Sequence, residues 1–160
     1  MGMSEAPRKN RKQVVEALHE VAAEMHNRMQ RGDPPRMTLP VRSKTNISFD
    51  NKLGVFKYGK NKTVRDATKL GSARQLLRTL HITEFIEEMI DSEKSSTLRE
   101  MYYISEGWGN GKFGSQNESN NLAEDLEIVT KCLREDFKLR PEEDGARIIG
   151  NITVEEKNRR

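Results

Sequence analysis

The run Gly32-Asp33-Pro34-Pro35 splits the first sixty residues into two regimes. Upstream, Val14, Leu18, Val21, Ala22, Met25 and Met29 recur at helical spacing, so residues 11–31 read as one amphipathic helix. Two consecutive prolines cannot continue it, and its apolar seam must dock on its own domain or on another polypeptide of an assembly. Downstream, three extended segments are expected, Arg36 to Arg42, Thr45 to Asp50 and Leu53 to Tyr58. Asp50-Asn51 and Gly59-Lys60-Asn61 supply turn chemistry, so these segments predict a small β-hairpin or ribbon.

From Thr63 the pattern turns helical. Thr63-Val64-Arg65-Asp66 has capping-box spacing, Gly71 interrupts, and Ser72 opens a longer helix with a break expected near His81. Its stripe is Leu76, Leu77, Leu80, Phe85, Ile86, Met89 and Ile90. Thr97-Leu98-Arg99-Glu100 is a full capping box, so a short helix should start at Thr97. A glycine-rich loop runs from Gly107 to Gly114, and its Asn and Gly residues favour mobility. Asn121 is expected to cap a further helix whose Leu122, Leu126, Val129, Leu133 and Phe137 share one face. Pro141 to Gly145 reads as a turn and Ala146 to Val154 as a strand. Successive helices with a short capped third member and strands around them predict an α+β fold. It is a winged-helix (helix-turn-helix) domain with a small β-ribbon and an N-terminal amphipathic helix.

Charge narrows the function classes. Residues 1–80 carry 17 Lys/Arg against 7 Asp/Glu, whereas residues 81–160 carry 11 against 18. A basic half suits a polyanion, although a solvated lysine-rich face has the same composition. The densest part, Lys57, Lys60, Lys62, Arg65, Lys69, Arg74 and Arg78, is interleaved with Phe56 and Tyr58. No run of ~18 apolar residues offers a membrane-spanning helix, and no apolar stretch follows the basic start as in a secretory signal. With the single cysteine, Cys132, on the apolar side of its helix, the chain reads as soluble and intracellular with a buried thiol.

Two glycine motifs imitate nucleotide sites. Gly54 to Lys60 has P-loop spacing, but Asn61 follows where a Mg²⁺-ligating hydroxyl is needed, and the interior is strand-like. Gly109-Asn110-Gly111-Lys112-Phe113-Gly114 fits GxGxxG without the preceding strand of a dinucleotide fold. His19, His26 and His81 have no partner at metal-ligand spacing, so no metal site is expected.

The chemistry-bearing stretch is Thr97 to Ser105. If Thr97 caps the helix, Arg99 and Tyr103 are i and i+4 and share one face, while Leu98 and Tyr102 share another. Tyr102 should point inward and Tyr103 outward beside a guanidinium. A phenol, with a pKa of ~10, is a poor nucleophile alone. An adjacent arginine can favour the phenolate and hold a phosphate oxygen near it. That suits attack on a phosphodiester. The plain alternative is a helix with one buried and one surface tyrosine.

Thr97 to Tyr103, with Phe113-Gly114-Ser115-Gln116 downstream, resembles the A subunit of archaeal DNA topoisomerase VI and the related meiotic double-strand-break transesterases. Asp33 to Met37, the β segments after it and Ser72-Ala73-Arg74-Gln75 resemble the same protein, so the likeness spans about Asp33 to Val154. The resemblance implies a winged-helix domain over 36–155 carrying the DNA-cleaving Tyr103, assisted by Arg99, with 1–35 as an N-terminal arm. It implies one component of an ATP-dependent type IIB topoisomerase. Two A subunits each cut one strand of double-stranded DNA, leaving 5′-phosphotyrosyl links, while ATP is bound by the B subunit of topoisomerase VI. Mg²⁺ would be held by carboxylates of a Toprim domain beyond the tail 156–160. The chain ends where that domain should begin, so it is expected to be an N-terminal fragment, poorly active alone and cytoplasmic on the nucleoid. Its N-terminal helix matches the region that meets the B subunit. Candidate phosphate contacts are Lys57, Lys60, Arg65 and Arg74. A non-catalytic winged-helix regulator or a protein-interaction domain would share the fold, but only the transesterase needs Arg99 and Tyr103 together.

Overall fold

Asn10 opens the first helix by a reciprocal cap. Its Oδ1 accepts the Gln13 N–H at 3.0 Å, and Gln13 Oε1 accepts the Asn10 N–H at 3.0 Å. The computed structural model describes residues 9–51 and 55–140, and in it α1 spans Arg11–Gln30. Gly32, with φ +79, turns the chain out of the helix, and Arg28 Nε–H donates to the Pro34 carbonyl at 2.9 Å.

The seam of α1 docks on its own chain. Val14, Leu18, Val21 and Met25 are buried in the same core as Leu76, Ile82, Ile86, Leu122 and Leu126, which come from α2 (Leu70–Asp91) and α4 (Gln116–Thr130). Lys9 donates to the Thr130 carbonyl at 2.6 Å, and Arg11 and His19 pair with Asp91 and Glu87 of α2. The seam is therefore consumed internally and does not present itself to a partner protein; of its six residues only Met29 is exposed to half its surface.

Residues 36–66 make a ribbon in two stages. β1 (Arg36–Pro40) pairs antiparallel with β4 (Lys62–Asp66), and between them β2 (Ile47–Asp50) pairs antiparallel with β3 (Val55–Tyr58). Thr63 to Asp66 thus lies in a strand, not at a helix start: β-branched Thr63 and Val64 pair with Leu39 and Thr38, and pairing overrides the local capping pattern. Helix α2 begins later, at Leu70, runs through Gly71 and continues past His81 without the expected break. Its buried Thr79 and Thr83 hydroxyls donate back to the carbonyls of Gln75 and Thr79, each at 2.9 Å, so neither hydroxyl is left unpaired in the stripe.

Thr97 caps α3 (Leu98–Ile104) as expected. Helix α4 starts six residues before Asn121, from Ser115, whose hydroxyl accepts the Glu118 N–H. It stops at Thr130 because Lys131 takes the left-handed conformation at φ 54. Leu133, Phe137 and Cys132 consequently lie beyond the helix. Phe137 and the free thiol of Cys132 are buried all the same, whereas Leu133 is exposed. A two-residue strand β5 (Ser96–Thr97) runs parallel to β6 (Leu139–Arg140). The architecture is mixed α+β: among the described residues, four helices surround one core with small two-stranded sheets. The turn and strand expected over 141–154 lie outside the described residues.

Candidate active site

Short helix α3 is held rigidly at its start. Thr97 Oγ1 accepts the Glu100 N–H at 3.0 Å, and the Glu100 carboxylate accepts the Thr97 N–H at 2.8 Å and the Ser96 hydroxyl at 3.1 Å. The backbone N–H of Thr97, then the Ser96 hydroxyl, hold the Glu100 carboxyl below its usual range. Pairing of Ser96 and Thr97 with Leu139 and Arg140 ties the same cap to the far end of the described chain.

With the cap fixed, the helix sorts its residues as the spacing requires. Leu98 and Met101 are buried, and Tyr102 is half-buried against the core. Tyr103 is 55% exposed on the outer face. Arg99, one turn back, donates its Nε–H to the Tyr103 phenol oxygen at 3.3 Å, and its guanidinium carbon lies 5.8 Å from the ring centroid. The two tyrosine rings are 5.5 Å apart.

The glycine-rich stretch behind α3 is packed rather than loose. Trp108 stacks on His81 with centroids 5.1 Å apart and meets Phe113 edge-on at 5.5 Å. Three consecutive backbone positions are each pinned by a side chain from a different element. Arg78 of α2 donates to the Lys112 carbonyl, at 3.0 Å from Nε. Ser105, after α3, accepts the Phe113 N–H at 3.3 Å while donating to the Tyr102 carbonyl at 2.6 Å. Glu118 of α4 accepts the Gly114 N–H at 2.6 Å and pairs with Arg78 at 3.2 Å. Gly111 is required here, since a Cβ would stand 2.5 Å from the His81 ring. GxGxxG spacing thus serves a close-packed turn after α3.

The candidate phosphate contacts separate into three places. Lys57 and Lys60 are exposed on the hairpin, Lys57 paired with Asp50 at 2.6 Å. Arg65 is turned inward onto the buried carboxylate of Asp125. Arg74 is exposed on α2 and lines a shallow depression of about 300 Å³ with Arg78, Lys112 and Gly114. Sequence reasoning missed Lys112, whose ammonium pairs with Glu106. That hydrogen bond, against the opposing effect of burial, raises its pKa above the usual value. It also missed Arg42, which joins Arg65 on Asp125; a lone arginine after a strand carries no signal of its partner eighty residues on.

An exposed tyrosine with a guanidinium on its phenol, set on a short helix braced by a glycine turn, is the feature that comparison with known proteins picks out. Residues 74–139, which include all of α3 and the glycine turn, match the family model described as type IIB DNA topoisomerase. The chain is homologous to the A subunit of type 2 DNA topoisomerase 6, in its N-terminal region. It is 41% identical over 160 residues to the Halobacterium salinarum protein of that name, covering 99% of this chain and 44% of the relative. Against the Archaeoglobus fulgidus protein it is 43% identical over 149 residues, covering 93% and 41%. Against the Methanosarcina barkeri protein it is 44% identical over 146 residues, covering 91% and 40%. The chain thus spans less than half the length of these relatives.

Proposed function

We propose that this chain is the DNA-cleaving portion of the A subunit of an ATP-dependent type IIB DNA topoisomerase, with Tyr103 as its nucleophile. The observation that carries the reading is the Arg99 Nε–H on the Tyr103 phenol oxygen at an exposed helix face, in a homologue of the topoisomerase 6 A subunit. The phenol oxygen attacks a backbone phosphorus in line. A P–O bond to Tyr103 forms as the P–O3′ bond breaks, the phenolic proton is lost, and the 3′-oxygen leaves as a hydroxyl. The product is a 5′-phosphotyrosyl link beside a free 3′ end, and the reverse step reseals the strand. Arg99 stabilises the phenolate before attack and the extra negative charge on the phosphoryl oxygens during it. Tyr102, half-buried, anchors the helix.

Residues 36–155 act in this reading as a winged-helix domain, with 1–35 as its arm and 156–160 leading toward a Toprim domain. Among the described residues no three His, Cys, Asp or Glu side chains converge as metal ligands, so they do not fit Mg²⁺ and no step is routed through it. Its carboxylates belong to the Toprim domain of the complete polypeptide, and ATP to a partner B subunit. Duplex DNA and a second A subunit complete the assembly, which works on the nucleoid. No helix among the described residues is long and apolar enough to cross a membrane.

The test uses the assembled A and B subunits with Mg²⁺, ATP and supercoiled plasmid. After a denaturing quench and protease digestion, protein-linked 5′ ends are counted for wild type, Tyr103→Phe and Tyr102→Phe. Loss of linked ends in Tyr103→Phe alone supports the assignment. Linkage that survives in Tyr103→Phe, or that never forms in wild type, returns the chain to a non-catalytic DNA-binding regulator.

A further inference from the structure

The ribbon of residues 36–66 is built unlike the rest of the fold. None of residues 47–50 or 57–64 is buried, so the core does not cover this part of the hairpin on either face. A two-stranded hairpin with both faces wet is marginal by itself. This one is fixed at its base by polar bonds. Asn46, 4% exposed, donates from its amide nitrogen to the carbonyls of Val41 at 2.8 Å and Asn61 at 2.9 Å. Its side-chain oxygen accepts the Asn61 N–H at 3.0 Å, and its carbonyl accepts the Gly59 N–H at 2.6 Å. One side chain thereby knots both strands at the point where the outer pair gives way to the inner pair. Gly59 is part of the knot, because a Cβ there would stand 2.5 Å from Asn46 Oδ1. Beyond it, Arg42 and Arg65 bolt the ribbon to Asp125 of α4.

The piece held out in this way has a definite chemistry. Residues 41–50 and 55–64 contain five basic residues and one acidic residue. That acid, Asp50, is paired with Lys57, and Arg42 is spent on α4. Lys44, Lys60 and Lys62 are exposed and make no ion pair among the described residues. Register places Ile47 directly opposite Tyr58, and Phe49 shares their face two residues along. Phe49 and Tyr58 are about half exposed there, at 50% and 44%. Lysine ammoniums beside half-exposed aromatic rings match an alternation of phosphates and sugar edges, and they carry no sequence code.

We propose that residues 44–50 and 55–62 form a rigid basic prong that grips the phosphate backbone of double-stranded DNA, as a contact distinct from helix α3. The proposal rests on the reading of DNA as substrate and adds where and how the duplex is held away from the tyrosine. The prong makes sequence-independent contacts through Lys44, Lys60 and Lys62, and the Asn46–Gly59 knot sets its direction.

Fluorescence anisotropy of a labelled duplex with the full chain, from about 50 to 200 mM salt, tests this. Substituting Lys44→Gln, Lys60→Gln and Lys62→Gln together should flatten the slope of log K against log salt by roughly 2–3, since each phosphate contact contributes about 0.9. The loss should be equal on unrelated duplex sequences, the melting temperature unchanged, and Lys→Arg at the same positions should keep the wild-type slope. A wild-type slope in the Gln variant overturns the prong while leaving the cleavage reading intact. A wild-type chain that binds no duplex at any salt overturns both.

Discussion

Arg65 closes on a carboxylate that solvent does not reach: its Nη1 faces Asp125 Oδ2, and neither atom is exposed. Arg42 takes the other oxygen of the same carboxylate. Asp125 therefore carries one charge against two guanidiniums whose side chains are 21% and 29% exposed. Removing the acid strands both arginines at a semi-buried site. For a fully buried pair that costs ~3–5 kcal/mol, and partial exposure of the arginines brings the expectation for Asp125→Ala to about 2–3 kcal/mol. The midpoint of urea unfolding reads it; an unchanged midpoint would show that the triad carries no net stability.

Two glycines should respond with opposite sign to the same substitution. Gly59→Ala drives a methyl into Asn46 Oδ1, an atom held by the Asn61 N–H, and should cost about 1–3 kcal/mol. The damage should be local, with faster amide exchange at Gly59 and Asn61. Gly71 lies in the first turn of α2, where an added Cβ would meet nothing within 4 Å. Gly71→Ala should stabilise by ~0.5–1 kcal/mol, through helix propensity and a less flexible unfolded chain. Thermal melts of the two variants on either side of wild type are the expected result.

The difference between what the chain announced and what it concealed follows the range of the interactions. Helix α1 was legible to within one residue because its cap, its seam and its Gly-Asp-Pro-Pro stop are all local. The same holds for Thr97, Arg99, Tyr102 and Tyr103, whose facing follows from one cap and a helical repeat. Errors arose where a distant partner outweighed a local signal. Thr63 to Asp66 looks like a cap but is claimed by β1, and His81 looks like a break but stacks on Trp108. Asn121 looks like a start, yet Ser115 caps six residues earlier, with Glu118 drawn to Gly114. Arg65 reads as a surface cation because nothing local reveals Asp125.

Two carboxyls bend the pH profile of stability in opposite directions. Glu100 has a folded pKa below its unfolded value, so its bonds to Thr97 and Ser96 contribute fully above the unfolded range of ~4.3 and fade as pH falls through the lower folded value. Glu127 is raised, by burial, against the lowering effect of Arg134; it holds its proton more tightly when folded, so acidification through that raised value adds stability. Urea titrations from pH 7 to pH 3 should therefore show Glu100→Gln less stable than wild type at neutral pH and converging with it in acid. For Glu127→Gln the gain over wild type should be largest at neutral pH. A Glu100→Gln deficit that persists unchanged to pH 3 would assign the loss to the neutral amide's packing and not to the carboxylate.

Arg99 and Tyr103 can be separated by asking what each does to folding and to cleavage. Both are on the outer face of α3, so Arg99→Ala and Tyr103→Phe should leave unfolding midpoints within about 0.5 kcal/mol of wild type. Met101→Ala, from the 0% exposed inner face of the same helix, should lose ~2–5 kcal/mol. In cleavage assays with the assembled A and B subunits the order inverts. Tyr103→Phe abolishes protein-linked ends, and Arg99→Ala slows their formation by roughly 10²-fold, the usual loss for one preorganised donor to developing charge. Arg99→Lys keeps the charge but not the Nε–H at the phenol, so it should fall between alanine and wild type. Rates for Arg99→Ala equal to wild type would leave Tyr103 without an activating partner on α3 and move that role to another residue of the assembled site.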